Sequence, residues 1–231
     1  LSKKLKVSSK NIVFTAGSDQ AIKNTFELFY KRNTEVVTID PTFAMVDVYC
    51  KIFKTKQIKI GYDKNLQLRL KDIYGAINKN TSLIILANPN SPTGTIITKN
   101  DLIKIIKKAK RCGAKVLLDE AYHEFSTYNF SSKIKDFDNL IIIRTFSKIF
   151  GLAGLRAGYV LSNKDIIKKY FAIKPMYEIN SIAVKALELM LDNPKYIDFY
   201  LKEMREGEVY AKQFCKKNKF KFIKCYANFF H

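Results

Sequence analysis

Three stretches, "TSLIILAN" (81–88), "AKVLLDEAY" (114–122) and "NLIIIRTFS" (139–147), most constrain the fold. Each is a nearly unbroken run of β-branched and aliphatic residues, too short for a helix that could bury it. A strand with apolar side chains at successive positions must be covered on both faces, which is the condition of an inner strand of a parallel sheet. The segments between them carry helical spacing. "TKNDLIKIIKKAKRCG" (98–113) opens on an N-cap candidate, places apolar residues on one side and lysines on the other, and stops at a glycine. "SDQAIKNTFELFYKR" (18–32) repeats the pattern at Ile22, Phe26, Leu28 and Phe29, with Ser18 as its expected N-cap. "NIVFTAG", "EVVTID", "KTKQIKIGY" and "GYVLSN" read as further strands, and "PTFAMVDVYCKIF" and "LKDIYGAINKN" as further helices. The expectation is an α/β fold: a mostly parallel sheet covered by helices on both faces.

From about Ile179 the strand-like runs give way to helices, "INSIAVKALELMLDN" and "PKYIDFYLKEMREGEVYAKQFCKKN", followed by one alternating run, "KFKFIKCYANFF", expected to be a strand. We expect a large domain over 1–195 and, over 196–231, the beginning of a smaller α+β domain. The chain does not start with Met and stops at "CYANFFH", so residues beyond both ends, including an N-terminal arm, are expected.

Charge and cysteine content narrow the possibilities. The net charge of +20 invites a nucleic-acid partner, but only six of the 41 basic residues are Arg, and the lysines spread over the polar helix faces rather than clustering. A basic nucleic-acid-binding module is therefore the distant alternative. No apolar run approaches the roughly 18 residues of a membrane span. The four Cys are far apart and there are two His, so no zinc spacing exists. The cysteines read as core residues in a reducing cytoplasm.

In open α/β sheets ligands bind beyond the carboxyl ends of the strands. The chemistry-bearing residues fall there: Gly17-Ser18-Asp19, Asn88 to Gly94, Asp119 to Tyr122, and Ser147-Lys148. "VLLDEAYHEF" looks at first like the magnesium-binding strand end of a nucleotide hydrolase. That reading needs a G-x-x-x-x-G-K-[ST] loop, and none is present; G-x-G-x-x-G is absent too. A lysine after one strand, a buried carboxylate after another, a phenol beside it and free N–H groups at a helix start are instead what pyridoxal phosphate requires. His123 is read as incidental. Glu120 must point away from the Asp119 side of its strand and is read as structural.

In order, "TAGSDQAI", "PTFAMVDVY", "ANPNSPTGT", "LLDEAYHEF", "RTFSKIFGLAGLRAGY" and "NSIAVKALE" resemble the fold-type-I pyridoxal-phosphate-dependent aminotransferases, specifically the histidinol-phosphate aminotransferase group. The resemblance implies that Lys148 attaches the cofactor and then acts as base. It implies that Asp119 pairs with the pyridine nitrogen and Tyr122 bonds the ring oxygen. Ser147, Arg156 and the backbone at Ser18 and Asp19 hold the phosphate, and Phe43 stacks on the ring. The family usually has Asn where Ser91 stands, so the second bond to the ring oxygen is either lost or supplied by Asn90; Tyr is common where Phe43 stands. The resemblance further implies amino transfer from glutamate to a phosphorylated keto compound in a cytoplasmic homodimer. A phosphoamino-acid decarboxylase with the same cofactor is the alternative. Asn180 is a weaker candidate for approaching a substrate.

Overall fold

The computed structural model describes residues 1–126 and 129–231. The first part of the chain runs α1 (Ser2–Leu5), β1 (Ile12–Thr15), α2 (Gly17–Phe29), β2 (Glu35–Asp40), α3 (Ala44–Ile52), β3 (Lys56–Gly61) and α4 (Leu70–Ala76). It continues with β4 (Thr81–Ala87), α5 (Lys99–Arg111), β5 (Lys115–Asp119), β6 (Leu140–Thr145), β7 (Gly158–Ser162), α6 (Lys164–Ile173), α7 (Ser181–Asp192) and α8 (Lys195–Lys217). The seven strands form one sheet in the order β1-β7-β6-β5-β4-β2-β3. β7 is antiparallel to both its neighbours, β1 and β6, and every other pair is parallel.

The apolar runs do what their composition demands. Successive residues of β4, β5 and β6 alternate between two cores, one on each face of the sheet. Ile84, Leu86, Val116, Leu118, Leu140 and Ile142 point into the first, and Leu83, Ile85, Leu117, Ile141 and Ile143 into the second. Leu102, Ile105, Ile106 and Ala109 of α5 are fully buried in the first core, at the spacing read from the sequence. α2, α3 and α6 close the second through Ile22, Phe26, Val46, Ile166 and Tyr170. The helix starts are fixed locally: Thr98 Oγ1 accepts from the Asp101 N–H at 3.2 Å, and Asn163 Oδ1 accepts from the N–H groups of Asp165 and Ile166.

Two expectations are corrected. α2 begins at Gly17, with Ala16 in the capping position and no side-chain cap, so Ser18 lies inside the first turn rather than capping it. The alternating run "KFKFIKCYANFF" forms no strand. Its backbone finds other partners: Tyr226 N–H donates to Gly94 O at 2.7 Å, and Ile223 N–H to His231 O at 2.6 Å. The run packs on the loop after β4 instead of on a sheet edge, and alternation alone cannot make a ladder without a partner strand. In the 23-residue α8, only Ile197 is buried. Among the described residues no helix is long and apolar enough to cross a membrane.

Candidate active site

The carboxyl ends of β1, β4, β5 and β6 lie side by side, because β1 and β6 flank the antiparallel β7 with Thr15, Gly158 and Thr145 in register. Gly158 is where this arrangement is tightest. A Cβ there would lie 2.7 Å from the Gly17 carbonyl carbon and 2.8 Å from Ser18 N, so only Gly lets the start of α2 sit on β7. A cavity of about 120 Å3 opens at this end of the sheet. Nine residues singled out in the sequence line it: Ser18, Asp19, Phe43, Ser91, Asp119, Tyr122, Ser147, Lys148 and Arg156.

One end of the cavity suits an anion. The first turn of the 13-residue α2 presents its free N–H groups there. Arg156, in the left-handed conformation, brings its guanidinium so close that a Cβ on Gly17 would stand 2.9 Å from Nη2. Ser147 is fixed beside them: Thr145 Oγ1 donates to Ser147 Oγ at 2.9 Å and accepts from Ser147 N–H at 3.1 Å. Asp19 is turned aside and accepts from Tyr49 Oη at 3.0 Å. Burial and that carboxylate push the Tyr49 phenol up to about 12, so it stays a donor.

The other end suits a cation. Asp119 is 6 % exposed. Its carboxylate accepts from the Ala121 N–H at 3.0 Å and forms no ion pair among the described residues. Burial pushes its pKa up to about 6, against the opposing pull of the Ala121 N–H and of Lys148. Lys148 Nζ stands 5.1 Å from the centre of the Tyr122 ring. Phe229, from the end of the chain, meets that ring edge-on at 5.6 Å. Phe43, 39 % exposed, forms a flat apolar wall at the rim.

A helix start with Arg and Ser for a phosphate, a buried carboxylate lacking a cation, and an amine and a phenol between them are the donor set that pyridoxal phosphate needs, and the residues fit it.

Three sequence readings fall outside the cavity. Asn90 is 1 % exposed and spent elsewhere: its Nδ2 donates to Pro41 O and Thr93 Oγ1, and its Oδ1 accepts from Thr42. It is not free to replace the missing Asn at Ser91. Asn180 caps α7 by accepting from Ala183 N–H and donates to Leu155 O. His123 Nδ1 lies 2.9 Å from Glu120 O and from Glu124 Oε2. Thr145 was missed; its signal was a hydroxyl at the carboxyl end of β6, two residues before Ser147.

The chain matches the family described as aminotransferase class I and II over residues 1–230. It belongs to that family. The histidinol-phosphate aminotransferase of Caldanaerobacter subterraneus subsp. tengcongensis is 36 % identical over 230 residues, covering 96 % of this chain and 63 % of that protein. This chain thus spans less than two thirds of that relative's length. The crystal structure of the histidinol-phosphate aminotransferase from Clostridium acetobutylicum superimposes with a TM-score of 0.85 at 27 % identity, covering 98 % of this chain and 68 % of that one. The enzyme of the same name from Sinorhizobium meliloti, solved with pyridoxal-5'-phosphate, shares the fold with a TM-score of 0.91 at 22 % identity, covering 99 % of this chain and 63 % of that one.

Proposed function

We propose that this protein is a pyridoxal-phosphate-dependent aminotransferase that moves an amino group from glutamate to a phosphorylated keto compound; the name of its relatives, histidinol-phosphate aminotransferase, supports amino transfer on a phosphorylated substrate. The observation that carries the reading is Asp119: a carboxyl buried at a strand end, in no ion pair among the described residues, lining the same cavity as a helix start suited to an anion. Pyridoxal phosphate between the two meets both needs, its pyridinium facing the carboxylate and its phosphate the helix start.

Bound pyridoxal phosphate supplies an electron sink for the pair left when a bond to the substrate Cα breaks. In this reading the chain's residues do the rest. Lys148 is the attachment point, and its amine afterwards takes and returns the substrate proton. Asp119, ionised, holds a proton on the ring nitrogen. Tyr122 donates to the ring oxygen. The Ser18 and Asp19 N–H groups, Ser147 and Arg156 bind the phosphate, and Phe43 packs on the ring face. Ser91, shorter than Asn, leaves Tyr122 as the side-chain donor to the ring oxygen. We place the cofactor-binding domain at 1–195 and the start of a smaller domain at 196–231, in keeping with the exposed face of α8. We propose a cytoplasmic homodimer.

A single half-reaction tests this. The cofactor-loaded protein is mixed with glutamate, and 2-oxoglutarate is measured against protein. About one equivalent, with the cofactor recovered as pyridoxamine phosphate, is the expected result. No 2-oxoglutarate, together with carbon dioxide released from phosphoserine or phosphothreonine, would overturn it in favour of a decarboxylase.

A further inference from the structure

Behind the cavity lies a buried ion pair that the chemistry above does not use. Glu120 and Arg144 have side chains 0 % and 1 % exposed. Arg144 Nε and Nη2 both donate to Glu120 Oε2, at 2.9 and 2.7 Å, and Nη2 also donates to Asn129 Oδ1 at 3.1 Å. Glu120 Oε1 has no hydrogen-bond partner among the described residues. The pair is placed by the sheet: Glu120 N–H donates to Ile143 O at 2.9 Å, and Ile143 is the register partner of Asp119.

A buried ion pair is a poor stabilising device, since an apolar pair of the same shape often does as well. This one leaves an oxygen unbonded. Its position suggests what it is for. Asp119 and Glu120 are consecutive, and both are buried. Two buried carboxylates side by side oppose each other's ionisation. We propose that Arg144 is a positioning residue for Asp119: by neutralising Glu120 it leaves Asp119 as the one uncompensated buried carboxylate at the site, so that a cationic ring nitrogen in the cavity has a single partner. The inference rests on the reading that the cavity takes pyridoxal phosphate. Lys148, Tyr122, Arg156 and Asp19 share the cavity with Asp119. Among the described residues, Tyr159 of β7 and Glu124 are charged or titratable groups next to the pair, and His123 lies against Glu124.

The test is the pH dependence of pyridoxal phosphate affinity, read by protein fluorescence. The limb of that profile that Asp119→Asn abolishes belongs to Asp119, and it lies near pH 6 in the wild type, where the empty site titrates. Glu120→Gln keeps the shape and the acceptor oxygen but leaves Arg144 unpaired. It is expected to move the limb to lower pH by roughly one unit. The double variant Glu120→Gln/Arg144→Met is neutral again and is expected to return the limb to its wild-type position. A Glu120→Gln profile weakened equally at every pH, or one moved to higher pH, would make the pair merely structural, and that result stands even if the double variant does not fold. A folded double variant that keeps the Glu120→Gln shift overturns the proposal as well. If the wild type binds no pyridoxal phosphate at any pH, the cofactor reading fails first and this inference with it.

Discussion

Replacing Asp119 by Asn is expected to stabilise the cofactor-free protein, and only above about pH 4. The carboxyl titrates near 3.8 when exposed and at about 6 in the folded, empty site, because burial disfavours its charge. Between those two values the native state holds a proton that the unfolded chain has released, so wild-type stability falls as pH rises through that window and is level above it. A displacement of roughly two units at about 1.4 kcal/mol each amounts to about 3 kcal/mol. Asn carries no charge to bury and retains an oxygen for the Ala121 N–H, a bond of 3.0 Å in the wild type. Urea unfolding of cofactor-free wild type and Asp119→Asn across this range measures the difference directly. The variant is expected to be more stable by about 3 kcal/mol at pH 8 and equal to the wild type below about pH 4. Adding pyridoxal phosphate should reverse the order, since only the wild type offers an ionised partner. A difference that does not change with pH, or an Asn variant that is weaker at pH 8, would refute the claim that Asp119 is strained by burial.

Gly17→Ala puts a methyl 2.9 Å from Arg156 Nη2 at a φ of +83°. It should lower cofactor affinity on the order of tenfold in a titration and cost about 1–2 kcal/mol in unfolding. Gly94→Ala meets Cys225 Cβ and Sγ at a φ of +65°. A loss of about 2 kcal/mol or more is expected, with faster exchange at the Tyr226 amide as the chain end lifts from the loop. Asn163→Ala removes the acceptor for two N–H groups at the start of α6. It should cost about 1 kcal/mol and leave cofactor affinity unchanged.

The apolar runs announced β4, β5 and β6, because a residue buried on either face needs no further information to be apolar. Their carboxyl ends pointed to Asp119, Ser147 and Lys148, since polar groups ending such runs have few structural uses. The direction of β7 was not legible: "GYVLS" packs equally well either way, and only the return through 146–157 sets it antiparallel. The N-cap of α2 was off by two residues, Ala16 instead of Ser18, because Gly17 enters the helix at a positive φ that the sequence does not advertise. "KFKFIKCYANFF" carries strand alternation, yet whether it pairs depends on a neighbouring edge, which is a property of the whole fold. The Glu120–Arg144 pair was hidden for the same reason: its partners are 24 residues apart and meet only through the register of β5 and β6.

We propose above that the cavity holds pyridoxal phosphate on Lys148. Borohydride reduction of the cofactor-treated protein, followed by peptide mass analysis, tests it most directly. One cofactor mass per chain is expected, on the peptide containing Lys148 and absent from Lys148→Ala. A label on any of the other lysines, or none at all, would contradict it.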